Sequence, residues 1–161
     1  MSKNLLRKSE CACEGCQRAC RQVPGWFRPG EAEKAAAHLN LSLRVFFKRY
    51  LAVQWWEGAD KNTFALAPAL KGAESGAMYP ANPKGECVFF QGGRCAIHPV
   101  KPWDCSHGNP HDAHTDAKHA AFVQARARTV ALWTKHQDQI ASLLGRKPRA
   151  AVYSFLEAMF W

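Results

Sequence analysis

The sequence lacks a long hydrophobic run, and this absence excludes a membrane-spanning protein. A transmembrane helix needs roughly 18 or more consecutive, largely apolar residues, and every apolar run in this chain is far shorter. The first residues, MSKNLLRKSE, hold two adjacent leucines before charge returns, so they lack the hydrophobic region of a secretory signal. We therefore expect a cytoplasmic protein with no membrane partner.

The common catalytic and phosphate-binding motifs are also missing. The sequence contains no G-x-G-x-x-G fingerprint, no P-loop and no recognisable Ser/His/Asp order. Its net charge of +9, from 22 Lys and Arg against 13 Asp and Glu, is compatible with an anionic partner, but the basic residues are scattered along the chain. We do not expect nucleic acid to be the main partner, whereas a protein partner stays open.

The composition is that of an ordinary globular protein. Of the 161 residues, 47% are hydrophobic and 22% are charged, which is enough to build one core. We predict a single compact domain over 1–161, with a cysteine-cluster region at 11–107 and a C-terminal helical region at 110–161 packed on it. The expected fold class is mainly α with a small β-hairpin element (α+β), stapled by a cysteine-ligated metal or cluster.

Local patterns predict the elements of this domain. Ser42 is typical of an N-cap, and the apolar spacing after it stays helical as far as Trp56. Gly145 is typical of a helix stop. The predicted helices are 30–39, 43–56, about 113–144 with one break near 135, and 152–161. The predicted strands are 63–67 and the two arms of a hairpin, 87–90 and 94–98, around a turn at 91–93.

Seven cysteines form the strongest signal in the sequence. An odd number cannot pair completely, and disulfides are rare in a reducing compartment, so metal ligation is the leading explanation. Zn²⁺ takes about four ligands, and iron–sulfur clusters take three or four thiolates. The cysteines fall in two clusters with 66 residues between them, and the fold must bring these together if they share a site. The spacing is Cys11-x-Cys13-x2-Cys16-x3-Cys20 and Cys87-x7-Cys95-x9-Cys105.

These clusters resemble the YkgJ-type cysteine-cluster family, described as a zinc- or iron-chelating domain. The resemblance covers roughly residues 11–107. The first signature of that family, C-x2-C-x2-C-C, corresponds to Cys13-Glu14-Gly15-Cys16-Gln17-Arg18-Ala19-Cys20. The second, C-x7or8-C-x-I-Y-x2-R-P-x2-C, corresponds to Cys87 followed by Cys95-Ala96-Ile97-His98-Pro99-Val100-Lys101-Pro102-Trp103-Asp104-Cys105. The resemblance implies metal chelation and does not by itself imply a reaction.

The chain departs from the family pattern at four positions. Ala19 removes one expected ligand, and Cys11 supplies an extra thiol two residues before the motif. His98 replaces Tyr, and Lys101 replaces Arg. A mixed nitrogen and sulfur site favours zinc and an all-sulfur site favours an iron–sulfur cluster, so the metal stays undecided. The predicted metal ligands are Cys11, Cys13, Cys16, Cys20, Cys87, Cys95 and Cys105. His98 and His107 are open as additional ligands.

Other polar and aromatic residues have simpler explanations. His111, His114, Asp112 and Asp116 could form a second, harder metal site, but a solvated helix start is the better interpretation. Adjacent tryptophans are more typical of core packing than of base stacking. We predict core positions for Trp26-Phe27 and Trp55-Trp56, a cover over the metal site for Trp103, helix-dipole matching for Glu31 and Glu33, and a solvated basic stripe for Lys118, Arg126, Arg128 and Lys135.

Three classes of function follow from these observations. The first is a metal-binding protein whose two cysteine clusters hold zinc or an iron–sulfur cluster. The second is a small iron–sulfur-dependent enzyme. The third is a protein or nucleic-acid interaction module in which zinc only staples the fold. The sequence leaves open whether the protein is an enzyme.

Overall fold

The computed structural model describes residues 14–22, 24–73, 75–78, 85–107 and 116–150, with the backbone alone at 16, 19, 22, 107 and 116–122. The helices are α1 Glu14–Gln22, α2 Glu31–His38, α3 Leu43–Tyr50, α4 Trp103–His107, α5 Asp116–Trp133 and α6 Gln137–Leu144, with a 3-10 turn at His98–Val100. The strands are β1 Leu51–Trp56, β2 Thr63–Pro68, β3 Ala77–Met78, β4 Phe90–Gln91 and β5 Arg94–Cys95. The predicted class, mainly α with a small β component, is confirmed.

A three-stranded sheet forms the centre of the fold. β1 pairs antiparallel with β2, from Leu51 opposite Pro68 to Trp56 opposite Thr63. β3 pairs parallel with the other edge of β1. All six residues of β2 are buried, because α5 and α6 pack against this strand. The predicted strand at 63–67 is therefore confirmed, with one further residue.

The helix predicted to continue to Trp56 ends at Tyr50. Its start is confirmed, since the Ser42 hydroxyl accepts a hydrogen bond from the Val45 N–H at 3.3 Å. Leu51 then takes an extended conformation, and the rest of the predicted helix is β1. This segment is rich in residues that suit strands, and pairing with β2 decides its conformation. Trp56, predicted to be in the core, lies at the strand end and is 38% exposed.

The predicted hairpin is present but short. Gly92 and Gly93 have φ of 55° and 79°, which allows the tight turn between β4 and β5. Only two residues pair on each side. Cys87 instead bridges to Leu70, just past β2, and this bridge ties the hairpin region to the sheet.

The long C-terminal helix is broken near 135, as predicted, into α5 and α6. Gly145 ends α6 with a φ of 72°. In these two helices, Thr129, Ile140 and Leu143 are buried, whereas Leu132 is 47% exposed. Trp133 is buried instead, because it lies four residues after the buried Thr129 on the same face of α5.

A single hydrophobic core joins the sheet to helices α2, α3, α5 and α6. Its largest fully buried side chains include Trp133, Phe27 and Phe46. In the described part of the chain, we find no helix with the length and apolarity needed to cross a bilayer. The predicted helix at 152–161, and the helix start at 113–115, lie outside the described residues.

Candidate metal centre

Four of the seven predicted ligands have described side chains. Cys20 is exposed on α1, Cys87 is buried, Cys95 on β5 and Cys105 on α4 are half-buried, and none of the four forms a disulfide. Cys11 and Cys13 lie outside the described residues. Cys16 lies in α1, with only its backbone described.

The fold brings the first cysteine cluster to the second. At the end of α1, the Arg21 carbonyl accepts a hydrogen bond from the Cys87 N–H at 2.8 Å. The Arg21 guanidinium lies over the Phe90 ring, 5.1 Å from its centroid. The helix that carries Cys20 is therefore docked on the segment that carries Cys87 and Cys95.

A second contact reaches the last cysteine. The Gly25 N–H donates a hydrogen bond to Sγ of Cys105 at 3.1 Å. The approach is close: a Cβ at Gly25 would lie 2.6 Å from both Cβ of Asp104 and the backbone nitrogen of Cys105. Cys105 is thus fixed against the chain that follows α1.

Negative charge on Cys20, Cys87 or Cys95 raises the pKa of neighbouring thiols. Burial raises the pKa of Cys87 to about 11, the hydrogen bond from Phe89 opposes this rise, and negative charge on Cys95 and Cys20 adds to it. Burial also raises the pKa of Cys105, with further contributions from Cys87, Cys95 and Cys20. Thiols from both clusters therefore share one neighbourhood in the fold.

Lys101 is the cationic group next to this neighbourhood. Burial raises the pKa of Cys20 and of Cys95, and the Lys101 charge lowers both. Lys101 thus places a positive charge beside the thiols.

The donor chemistry fits a thiophilic metal, but the described ligand set is incomplete. Clustered thiols with raised pKa values are the groups that Zn²⁺ or iron would deprotonate and bind. Within the described ranges, no three Cys, His, Asp or Glu side chains are arranged to hold an ion. Three of the seven predicted sulfurs, those of Cys11, Cys13 and Cys16, lie outside the described side chains.

The histidine predictions are largely outside the described structure. His98 lies in the 3-10 turn and is half-exposed. His107 ends α4, with only its backbone described. Residues 111–115 are not described, and only the backbone is described at Asp116 and His119.

The sequence analysis missed a buried ion pair beside Cys105. Arg126, predicted to lie on a solvated stripe, places Nε 2.6 Å from Oδ2 of Asp104, whose side chain is 1% exposed. Burial raises the pKa of Asp104, and Arg126 opposes that rise. The missed signal is the helical spacing, because Arg126 lies three and seven residues before the buried Thr129 and Trp133.

The structure also describes the aromatic residues and the glutamate for which the sequence predicted packing or helix-dipole roles. Trp26 and Phe27 are buried, as predicted. Trp103 packs under the Arg28 guanidinium at 3.7 Å. Glu31 accepts hydrogen bonds from the N–H groups of Arg28 and Trp103. Glu31 thus connects α2 to α4 in addition to lying in the first turn of α2.

No protein-family model, curated protein or solved structure matches this chain. The interpretation of the site therefore rests on its own residues and their arrangement.

Proposed function

We propose that this protein binds a thiophilic metal, as zinc or an iron–sulfur cluster, through cysteines of both clusters. The resemblance to the YkgJ-type family supports the same function. We place the protein in the cytoplasm, where the thiols stay reduced. The metal or cluster is its primary partner.

One observation carries this proposal: the end of α1, which carries Cys20, is docked on the segment that carries Cys87 and Cys95, and negative charge on Cys20 raises the thiol pKa of all three downstream cysteines. The 66 residues between Cys20 and Cys87 would allow the two clusters to lie far apart. Instead, the Arg21–Cys87 hydrogen bond joins their backbones. Bringing four thiols together without a cation adds repulsion between their ionised forms, whereas a bound cation turns that arrangement into a favourable one.

The test is metal analysis of protein purified without oxygen, together with its absorption spectrum. Iron with matching acid-labile sulfide and broad visible absorption would identify a cluster. Colourless protein with zinc would identify a zinc site. Protein with neither metal would contradict the proposal.

Cysteine variants then test whether the two clusters share the site. We expect Cys20→Ser and Cys95→Ser each to remove most of the bound metal, since each removes one of few ligands from one site. Ser106→Ala, next to Cys105, is the control and should keep full metal content. If both cysteine variants keep full metal and stability, the shared site is wrong.

A further inference from the structure

The segment 24–27, between α1 and α2, is a rigid backbone support. All four of its residues are buried. The Phe27 N–H donates to the Leu66 carbonyl of β2 at 3.0 Å, and the Phe27 carbonyl accepts from Nε1 of Trp133 at 2.6 Å. The Trp26 indole N–H donates to Gln54 of β1. The sheet and α5 thus fix the position of this segment.

Two adjacent N–H groups of the segment bind two adjacent residues of α4. The Gly25 N–H donates to Sγ of Cys105 at 3.1 Å. The next N–H, that of Trp26, donates to Oδ2 of Asp104 at 3.2 Å. The Asp104 contact therefore sets how α4 lies on the segment, and with it where the Cys105 sulfur lies.

Arg126 holds the Asp104 carboxylate in this position. Its Nε lies 2.6 Å from the same Oδ2 atom, and its guanidinium lies over the Trp26 ring, 4.4 Å from the centroid. Three elements, the segment 24–27, α4 and α5, therefore converge on one buried oxygen atom.

We propose that Asp104 is a positioning residue of the metal centre, which holds the Cys105 sulfur in place by accepting the Trp26 N–H. This inference rests on the proposed function. The Gly25 N–H would then donate to a metal-bound thiolate, and such hydrogen bonds orient the ligand and tune the metal. What matters in Asp104 is the Oδ2 atom that accepts the Trp26 N–H, and the ion pair with Arg126 keeps this atom in place.

Two double variants distinguish the effect of losing the hydrogen-bond acceptor at Asp104 from the effect of losing the ion pair. Asp104→Asn with Arg126→Met removes both charges but keeps an oxygen acceptor for Trp26. Asp104→Leu with Arg126→Met removes the acceptor as well. Both double variants replace the buried ion pair with neutral side chains, a kind of change that buried ion pairs often tolerate when the new side chains pack well. The probe is Co²⁺ titration if the protein holds zinc, or its own cluster absorption if it holds iron.

We expect the leucine variant to bind metal about 10- to 100-fold more weakly and to have altered thiolate-to-metal absorption. The asparagine variant should recover most of this loss, and Arg128→Ala, an exposed change on α5, should match the native protein. Equal affinity and equal spectra for the two double variants would overturn the positioning role. If the leucine variant fails to fold, Asp104→Ala replaces it, and loss of fold in both would assign Asp104 to structure alone.

A double-mutant cycle with Cys105→Ser distinguishes this inference from the proposed function. If Asp104 acts through Cys105, the leucine substitution should cause no further loss of affinity in the Cys105→Ser background. Additive losses would overturn the inference and leave the metal site intact. Native protein that binds no metal would instead overturn the proposed function.

Discussion

At the scale of single residues, Gly25 has no room for a side chain. Its backbone lies against Asp104 and Cys105, and a Cβ there would meet two atoms at 2.6 Å, one of them backbone. We predict that Gly25→Ala lowers the free energy of unfolding by about 3 kcal/mol, the upper end of typical overpacking costs, because two packed backbones must separate. Urea unfolding of metal-free protein measures the loss.

Gly72→Ala is the control for this prediction. Gly72 has a φ of 84°, and nothing lies within 4 Å of the position that its Cβ would take. Alanine there should cost about 1 kcal/mol from backbone strain alone. Equal losses in the two variants would show that the contact at Gly25 is looser than the distances indicate.

The sequence predicted the role of single residues only where the residue type itself indicates a chemistry, as cysteine does for metal binding. The cysteine spacing predicted that the two distant clusters must meet if they share a metal site, and the end of α1 does lie against the segment with Cys87. The Asp104–Arg126 pair was missed since it joins two different helices, and Arg126 has charged neighbours that suggested a solvated face.

At the scale of elements, the outer edge of β2 is completed by one side chain of α6. Oε1 of Gln137 accepts from the Phe64 N–H at 3.1 Å, and its Nε2 donates to the Phe64 carbonyl at 3.0 Å. The amide therefore takes the place that a neighbouring strand would occupy. This contact explains how a strand at the edge of the sheet can be buried along its length.

We predict that Gln137→Ala lowers the free energy of unfolding by about 2 kcal/mol, because it leaves two buried backbone groups of Phe64 without partners. Gln124→Ala is the matched control, since Gln124 is exposed on α5. That change should cost less than about 0.5 kcal/mol. Chemical denaturation of both variants makes the comparison, and a similar small effect for both would show that water satisfies Phe64.

Elements with local signals were predictable, and elements defined by pairing were not. The N-cap at Ser42, the glycines of the hairpin and the Gly145 stop all act within a few residues. β1 was assigned to a helix because its apolar residues also fit helical spacing, and only its partner 63–68 makes it a strand. β3 has two residues and no pattern of its own.

At the scale of the whole molecule, the elements that carry cysteines are attached unequally to the core. Phe89 stacks on Phe46, and Ile97 is fully buried, so the hairpin region has apolar anchors of its own. In α1, no described side chain is buried. Its described attachments include the Arg21–Cys87 hydrogen bond, the Arg21 contact with Phe90 and an ion pair between Arg21 and Glu86 at 4.0 Å.

We therefore predict that metal removal releases α1 while the sheet persists. A helix of nine residues is too short to be stable alone in water. After chelation under reducing conditions, amide hydrogen exchange in 14–22 should become fast, whereas β1 and β2 should keep their protection. Segment 87–97 should lie between these extremes, because its apolar anchors remain. Unchanged protection of α1 would mean that the metal does not hold this helix, and loss of protection in β1 and β2 as well would make the metal essential to the whole core.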